Sequence, residues 1–249
     1  MPERISAVGD PPTRVALVTG AGRRIGAAIA TALGARGMSV AVHYATSRSG
    51  AEETAAGITE RGGVAWCVQA DLAQPNAPRE LVGAVVEHFG RLDVLVNSAA
   101  TMERTPFEST TPADWDRIMA VNARAPYFLA QASAAHMAQG GCIVNIADIA
   151  AFETWPGYVP HGISKQAVVY ATKALARVLA PKVRVNAVAP GVVLLPEGWD
   201  PSLAERLAGT TPLKQNGAPE DVVRAVLYLI DSPYVTGDVM VVDGGRLLR

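Results

Sequence analysis

The stretch Thr19-Gly20-Ala21-Gly22-Arg23-Arg24-Ile25-Gly26 decides the fold, because it joins a short apolar strand to an amphipathic helix. The strand is predicted over residues 15–19 and the helix over residues 25–36, where Gly37 follows as a helix stop. At such a junction the free backbone N–H groups and the positive helix end favour a pyrophosphate, and glycine lets the phosphates approach the backbone. The stretch therefore predicts dinucleotide binding rather than a mere tight turn.

The same alternation of apolar strands and amphipathic helices continues along the chain. It predicts strands at residues 39–44, 64–69, 92–97, 142–146, 183–187 and 239–242, and helices at residues 50–61, 78–89, 111–139 and from near His161. Strands that are apolar on both faces and separated by single helices indicate right-handed crossovers. We therefore expect a single α/β domain over residues 14–249, with a doubly wound parallel sheet and helices on both faces, after a flexible arm at residues 1–13. Residues 192–211, around Trp199, are typical of a mobile flap.

The composition bounds the classes of function open to this chain. Its 249 residues are 49% hydrophobic, which suffices for a sizeable core, and the formal net charge is −1, with lysine and arginine scattered along the sequence. A broad basic face is therefore not expected, and neither nucleic acid nor a membrane is an expected partner. Two cysteines in apolar runs, and no signal-peptide core or membrane-length apolar run, predict a cytoplasmic protein with free thiols and no metal site.

Further motifs lie downstream of the glycine turn, at Asp71-Leu72, Asn97-Ser98-Ala99-Ala100, Asn122, Pro190-Gly191 and residues 236–245. With that turn they make residues 13–245 resemble the short-chain dehydrogenase/reductase family, whose pattern TGxxxGxG the turn matches except for Arg24. The resemblance implies a Rossmann-type domain, a small-molecule substrate and a homotetramer. Within the family, Arg24, the strand end His43-Tyr44, Asp148 in place of a serine and residues 125–128 resemble the pteridine reductases.

The resemblance also implies a set of cofactor-binding residues. They come from the glycine turn, the ends of several strands and the start of the helix near His161. The set is Gly20, Arg24, Ile25, His43, Ser47, Arg48, Ser49, Asp71, Leu72, Asn97, Ser98, Ala99, Lys165, Pro190, Gly191 and Val192.

The choice between the two nicotinamide cofactors can be argued from charge. An NAD-selective site places an acid after the second strand to accept from the ribose 2′-hydroxyl, whereas a 2′-phosphate needs cations and hydroxyl donors. Residues 43–49 contain no acid, and Glu52 is the first one that follows. We therefore expect NADPH, with Arg48 and a neighbouring serine on the 2′-phosphate and Arg24 as a second cation. The alternative is that Arg48 is a solvated loop charge.

The expected catalytic residues are Asn122, Asp148, His161 and Lys165. The family pattern Tyr-x-x-x-Lys is replaced here by His161-x-x-x-Lys165, so the two side chains share one helical face. By resemblance, Lys165 binds the ribose and Asn122 holds water or backbone beside it.

His161 and Asp148 each have two interpretations. A neutral imidazole cannot give up a proton usefully, so only the imidazolium form of His161 could replace a tyrosine as general acid. Lys165 disfavours that form and Asp148, if close, favours it. Otherwise His161 merely orients water or substrate. Asp148 is either a second proton source, as the resemblance implies, or the cap of a loop.

These residues predict an NADPH-dependent reductase of a pterin-like or related heterocyclic C=N substrate, because a basic ring nitrogen demands less of an acid than a ketone does. One departure weakens this hypothesis, since Met102 stands where the pteridine reductases place a stacking aromatic ring. Trp155 or Trp199 could supply the flat surface instead. Two alternatives remain: a carbonyl or quinone reductase that uses protonated His161, and a catalytically weak NADP(H)-binding sensor or scaffold.

Overall fold

The computed structural model describes residues 13–194 and 202–248, which form a seven-stranded parallel sheet with helices on both faces. The strands, in chain order, are β1 (Val15–Val18), β2 (Ser39–Tyr44), β3 (Val64–Gln69), β4 (Val94–Asn97), β5 (Gly141–Ile146), β6 (Val183–Pro190) and β7 (Val239–Val242). The helices are α1 (Arg24–Ala35), α2 (Arg48–Thr59), α3 (Ala77–Phe89), α4 (Pro112–Met119), α5 (Ala125–His136), α6 (Val159–Leu179), α7 (Ser202–Gly209) and α8 (Pro219–Asp231). The predicted doubly wound fold is confirmed.

The sheet order β3-β2-β1-β4-β5-β6-β7 reverses direction at β1. Val18 of β1 pairs with Val42 of β2 on one side and with Val96 of β4 on the other. The carboxyl ends of these three strands therefore lie at the same edge of the sheet. In an open parallel sheet, a crevice forms outside the carboxyl ends of the strands where the winding direction changes. The fold therefore places a cleft beside the glycine turn that follows β1.

Alternate residues of the central strands enter two different cores. Ala16 and Val18 pack in the layer that contains α1 and α8, whereas Val15 and Leu17 pack in the layer that contains α3 and α5. A strand whose side chains are buried on both faces needs an unbroken apolar run, which is what β1 has. The edge strand β3 differs, since its side chains are only half-buried or exposed.

The predicted helix over residues 111–139 is wrong in one respect, because it is broken in the middle. It consists of α4, a π-helical turn over Ala120–Arg124, and α5. Pro126 lies in the first turn of α5, and proline cannot donate the backbone hydrogen bond that an uninterrupted α-helix would need there. The interruption places Asn122 at the centre of the π turn.

Several boundaries also differ from those predicted. The helix expected at residue 50 begins at Arg48, the strand expected from residue 92 begins at Val94, and the helix expected near His161 begins at Val159 with Pro160 in its first turn. β6 continues to Pro190, beyond residue 187, because it pairs with β7 as far as Val242. The arm at residues 1–13 lies outside the described residues except for the last of them, and so do residues 195–201 of the predicted flap, including Trp199.

The described part of the chain contains no helix that is both long and apolar enough to cross a membrane. Among the same residues no group of His, Cys, Asp and Glu side chains could hold a metal ion. Cys67 and Cys142 are both free thiols, on β3 and β5 respectively.

Candidate cofactor cleft and active site

A single continuous cleft of about 1040 Å³ runs along the carboxyl ends of the strands. Most of the residues predicted to bind a cofactor line it. They are Gly20, Arg24, Ile25, His43, Ser47, Asp71, Leu72, Ser98, Ala99, Lys165, Pro190, Gly191 and Val192. Arg48, Ser49 and Asn97 are not among the lining residues.

The glycine turn lies against the end of β4. Gly20 has a φ of +64°, and a Cβ there would lie 2.8 Å from the Cα of Ala99, so both the conformation and the space require glycine. Arg24 also adopts the left-handed conformation, with a φ of +55°, at the position where the family pattern has glycine. Its guanidinium donates to the Leu194 carbonyl at 2.9 Å, so Arg24 reaches from the start of α1 to the loop after β6.

Two side chains hold this turn in place. The Thr19 hydroxyl oxygen accepts from the backbone N–H groups of Ser98 and Ala99, each at 3.0 Å. The His43 ring accepts from the Gly20 N–H through Nδ1 at 3.1 Å and donates through Nε2 to the Ala70 carbonyl at 3.0 Å. This pairing requires a neutral imidazole, and burial lowers the pKa of His43 to about 4. His43 therefore supports the cleft wall with both of its ring nitrogens.

The structure does not bring all the residues predicted to bind the 2′-phosphate to one place, because Arg24 and Ser47 line the cleft whereas Arg48 and Ser49 do not. Arg48 is the first residue of α2, its guanidinium forms an ion pair with Glu52 at 2.9 Å, and its side chain is 75% exposed. The alternative interpretation of Arg48, a solvated charge, fits this geometry better. Arg23, which the sequence did not single out, lines the cleft together with Thr46 and Ser47. It was missed because the family pattern draws attention to the glycines around it.

The side chain of Asn97 forms a hydrogen bond to the neighbouring strand and does not line the cleft. Its Nδ2 donates to the Asn145 Oδ1 at 2.8 Å, and the Asn145 Nδ2 donates in turn to the Thr172 hydroxyl at 2.9 Å. These bonds tie β4 to β5 and α6. Asp71 holds its own turn, because its carboxylate accepts from the Gln74 side chain and the Ala73 N–H, which lowers its pKa.

Asp148, His161 and Lys165 meet at the inner end of the cleft. The Asp148 Oδ1 accepts from the Ala150 N–H at 2.8 Å and so caps a short 3₁₀ turn, while its Oδ2 lies 3.5 Å from the His161 Nε2. Asp148 therefore caps a loop, and its role as a proton source stays a prediction. Lys165 is buried and donates through Nζ to the Ile146 carbonyl at 2.9 Å, and burial lowers its pKa although the nearby Asp148 carboxylate opposes that shift.

Asn122 fixes the loop behind His161. Its Oδ1 accepts from the Thr101 N–H at 2.8 Å, and its Nδ2 donates to the Thr101 carbonyl at 2.8 Å and to the Ser164 hydroxyl at 3.1 Å. The backbone that Asn122 holds belongs to Thr101, beside His161, and its predicted role beside Lys165 stays a prediction.

The ring nitrogens of His161 lie close to several polar groups. The Nδ1 lies 3.4 Å from the Asn122 Nδ2 and 3.3 Å from the Thr101 carbonyl oxygen. The two hydrogens of the Asn122 Nδ2 serve its two shorter bonds, so we assign a hydrogen to the His161 Nδ1, which then donates to the Thr101 carbonyl. The Nε2 is buried, makes no hydrogen bond within the described part of the chain, and lies 3.5 Å from the Asp148 Oδ2.

Comparison with known proteins shows the family. A family model described as enoyl-(acyl carrier protein) reductase matches residues 20–246. A 3-oxoacyl-[acyl-carrier-protein] reductase of Synechocystis is 36% identical over 241 residues, which cover 94% of this chain and 97% of that protein. The crystal structure of the angucycline C-6 ketoreductase LanV with bound NADP aligns with a TM-score of 0.90 at 36% identity, over 96% of this chain and 97% of that one.

A short chain dehydrogenase from Burkholderia cenocepacia, in complex with NADP, aligns equally well. Its TM-score is 0.90 at 34% identity, over 95% of this chain and 99% of that one. This chain belongs to the short-chain dehydrogenase/reductase family.

In this short-chain dehydrogenase/reductase, the part of the cleft beyond His161 is lined by aromatic and basic side chains. Trp155 and Tyr158 both line the cleft and meet edge to face with ring centroids 6.2 Å apart, and Tyr158 immediately precedes α6. Met102 also lines this part and is 43% exposed. Arg246, near the C-terminus, forms two hydrogen bonds with Glu153 at 2.8 and 3.0 Å. That pair joins residues far apart in sequence, and no local pattern indicates it.

The buried neutral state of His43 predicts a pH-dependent stability. The pKa is about 4 in the folded protein against 6.5 in the unfolded chain, so the unfolded chain binds a proton more readily between these values. The contribution of His43 is present above pH 6.5 and is lost as the pH falls toward 4, amounting to about 3 kcal/mol in total.

Urea unfolding of the parent and of His43→Gln at several pH values between these limits measures this effect. The pH dependence of the free energy of unfolding should be smaller in His43→Gln than in the parent. His136→Gln, which alters an exposed histidine on α5, is the control and should follow the parent. Equal slopes for the parent and His43→Gln would show that His43 is not held neutral by its two backbone partners.

Proposed function

We propose that this chain is an NADPH-dependent carbonyl reductase in which Asp148 and His161 supply the proton. The observation that carries the proposal is the 3.5 Å approach of the Asp148 Oδ2 to the His161 Nε2 at the inner end of the cleft, beside buried Lys165. Two of the relatives named above, a 3-oxoacyl reductase and a ketoreductase, also support a carbonyl substrate.

The carbonyl alternative now takes precedence over the expected pterin-like substrate. None of the three relatives named above is described as a pterin reductase, and no aromatic ring occupies the place of Met102. Of the residues that resemble the pteridine reductases, Asp148 is the one that would act on the substrate, and its carboxyl is explained equally well as the partner of His161.

The cleft fits NADPH on several independent features. The glycine turn and the start of α1 line the cleft through Gly20, Gly22 and Gly26, and the free N–H groups of a helix N-terminus favour a pyrophosphate. Arg23, Thr46 and Ser47 offer a cation and two hydroxyls for a 2′-phosphate, at the end of the cleft where an NAD-selective site would have an acid. Two solved structures named above contain NADP.

When bound, NADPH would supply a hydride to the carbonyl carbon. The residues of this chain would stabilise and protonate the oxygen, on which negative charge develops. In our proposal, Lys165 binds the nicotinamide ribose and remains fixed by its bond to the Ile146 carbonyl. The His161 Nε2–H donates to the substrate oxygen and transfers its proton to the forming alkoxide. In this scheme the Asp148 Oδ2 lies 3.5 Å from the nitrogen that gives up the proton and is the group that returns one to it.

The proton must then be replaced. Transfer leaves His161 neutral, with its Nδ1–H still bonded to the Thr101 carbonyl. The Asp148 side chain is 24% exposed whereas that of His161 is 2% exposed, so solvent protons reach the pair through Asp148. Asn122 takes no proton in this scheme, and it keeps the Thr101 carbonyl in place as the acceptor for Nδ1.

We also propose that the protein self-associates as a homotetramer through the outer faces of α5 and α6. Several large apolar side chains on these helices are 42% or more exposed, which is more than an isolated domain usually leaves on one face. They are Tyr127, Phe128, Val159, Ile163, Tyr170 and Val178.

The two arginines near the predicted 2′-phosphate position give a matched test of cofactor choice. Arg23→Ala should weaken NADPH binding roughly 10- to 150-fold while changing NADH binding little, because a charge-assisted contact contributes about 1.5–3 kcal/mol. Arg48→Ala removes a cation of the same charge from outside the cleft lining and should leave both dissociation constants near those of the parent. Titration with each cofactor, followed by fluorescence, measures them. A loss of NADPH preference in Arg48→Ala alone would reverse the two assignments.

The proton pair is tested by turnover of ketone, quinone and dihydropterin substrates with NADPH. For a ketone, His161→Ala should lower kcat by about 10²- to 10⁴-fold and Asp148→Asn by about 10²-fold, with NADPH affinity retained, because a general acid contributes on this scale. His136→Ala is the control for the loss of a histidine.

Three results would contradict the proposal. A fully active His161→Ala would remove His161 as the acid, and reduction of the dihydropterin alone would restore the heterocycle hypothesis. If the parent bound NADPH tightly but reduced none of the substrates, the sensor or scaffold alternative would be favoured.

A further inference from the structure

The charges along the cleft are unevenly balanced. Five basic and two acidic side chains line it, although the whole chain has a net charge of −1. Arg23 and Arg24 lie on the glycine turn and its helix, where an anionic cofactor accounts for them. The remaining basic residues are Lys165, Arg104 and Arg246.

Two of these three already have partners. Arg246 is neutralised by its two bonds to Glu153, and Lys165 lies near Asp148 with its Nζ on the Ile146 carbonyl. Arg104 differs, because its exposed side chain makes no hydrogen bond or ion pair with any residue in the ranges 13–194 and 202–248. The carboxylate of the neighbouring acid, Glu103, forms an ion pair with the Arg117 guanidinium at 2.5 Å.

The backbone fixes where Arg104 lies. The next residue, Thr105, donates its N–H to the Gly157 carbonyl at 2.8 Å and bridges to Tyr158, so the loop after β4 is joined to the turn before α6. The Arg104 Nε lies 3.5 Å from the point where a Cβ on Gly157 would stand. The guanidinium is thereby held beside the turn that carries Trp155 and Tyr158.

This part of the cleft combines a flat apolar wall with one unbalanced cation. Trp155 and Tyr158 are half-buried and pack edge to face, with Met102 lining the same part of the cleft. Aromatic side chains of this kind favour a flat ring system, and a guanidinium binds a carboxylate through two parallel hydrogen bonds. A cleft lined by one sign of charge also raises the local concentration of oppositely charged ligands.

We propose that the substrate is a flat aryl ketone that carries a carboxylate, and that Arg104 binds this carboxylate. The inference rests on the proposed carbonyl reductase function, since it names the substrate class of the same site. Arg104 acts on binding and selectivity and takes no part in the proton transfer by His161.

A pair of matched ligands tests this inference by binding alone. The probes are a bicyclic aryl ketone, a tetralone with one ring carboxylate, and the methyl ester of the same compound, each titrated calorimetrically into the enzyme with NADP⁺ bound. The acid should bind the parent at least about tenfold more tightly than the ester, as a charge-assisted contact predicts. In Arg104→Gln the ratio of the two dissociation constants should fall to about one, and Arg104→Lys should retain part of it. Arg79→Gln removes an exposed cation of α3 outside the cleft lining and should keep the parent ratio.

Binding and reduction separate the two proposals. Equal binding of acid and ester by the parent, or an unchanged ratio in Arg104→Gln, would overturn the role of Arg104. If the acid binds with the expected preference but neither compound is reduced, Arg104 stands and the carbonyl reductase function fails. If both are reduced without any preference in binding, the function stands and the carboxylate specificity fails.

Discussion

The side chain of Asn122 fixes the geometry on which the active site depends. Its amide bonds both the N–H and the carbonyl of Thr101, each at 2.8 Å, and so holds the loop after β4 in one position. The same carbonyl is the acceptor for the His161 Nδ1. Because the two amide hydrogens of Asn122 serve its shorter bonds to the Thr101 carbonyl and the Ser164 hydroxyl, we infer that the imidazole supplies the hydrogen at Nδ1, while its Nε2 lies 3.5 Å from the Asp148 Oδ2. The proton that we assign to catalysis thus depends on an amide that does not touch Asp148.

Asn122 reaches this position because the main chain departs from regular α-helix geometry between α4 and α5. An uninterrupted α-helix across residues 111–139 would lack the backbone hydrogen bond that Pro126 cannot donate. The π turn over Ala120–Arg124, next to the proline of α5, places the amide inside the fold, where it is 1% exposed. Burial of an amide requires that its polar atoms be bonded, and those bonds hold Thr101 and Ser164.

Much of the fold could be predicted from the sequence, because buried parallel strands need unbroken apolar runs and the glycine turn has a local pattern. The shared face of His161 and Lys165 also follows from their spacing on one helix, whereas the approach of Asp148 to His161 depends on the completed fold. Arg48 illustrates what could not be predicted, since its ion pair with Glu52 depends on α2 beginning two residues earlier than expected. The contacts of Arg104 and Arg246 depend on chain segments brought together only by the completed fold.

Nitrogen NMR of the histidine rings tests the central claim most directly, because it reports which nitrogen of His161 carries hydrogen. We expect the Nδ1 of His161 to carry a hydrogen in the folded protein, whereas His43, whose Nδ1 accepts from Gly20, should carry its hydrogen on Nε2. The two rings therefore act as references for each other in one labelled sample, and Asn122→Asp would perturb only the first. An unprotonated Nδ1 on His161, with its single hydrogen on Nε2, would contradict the proton pair described here.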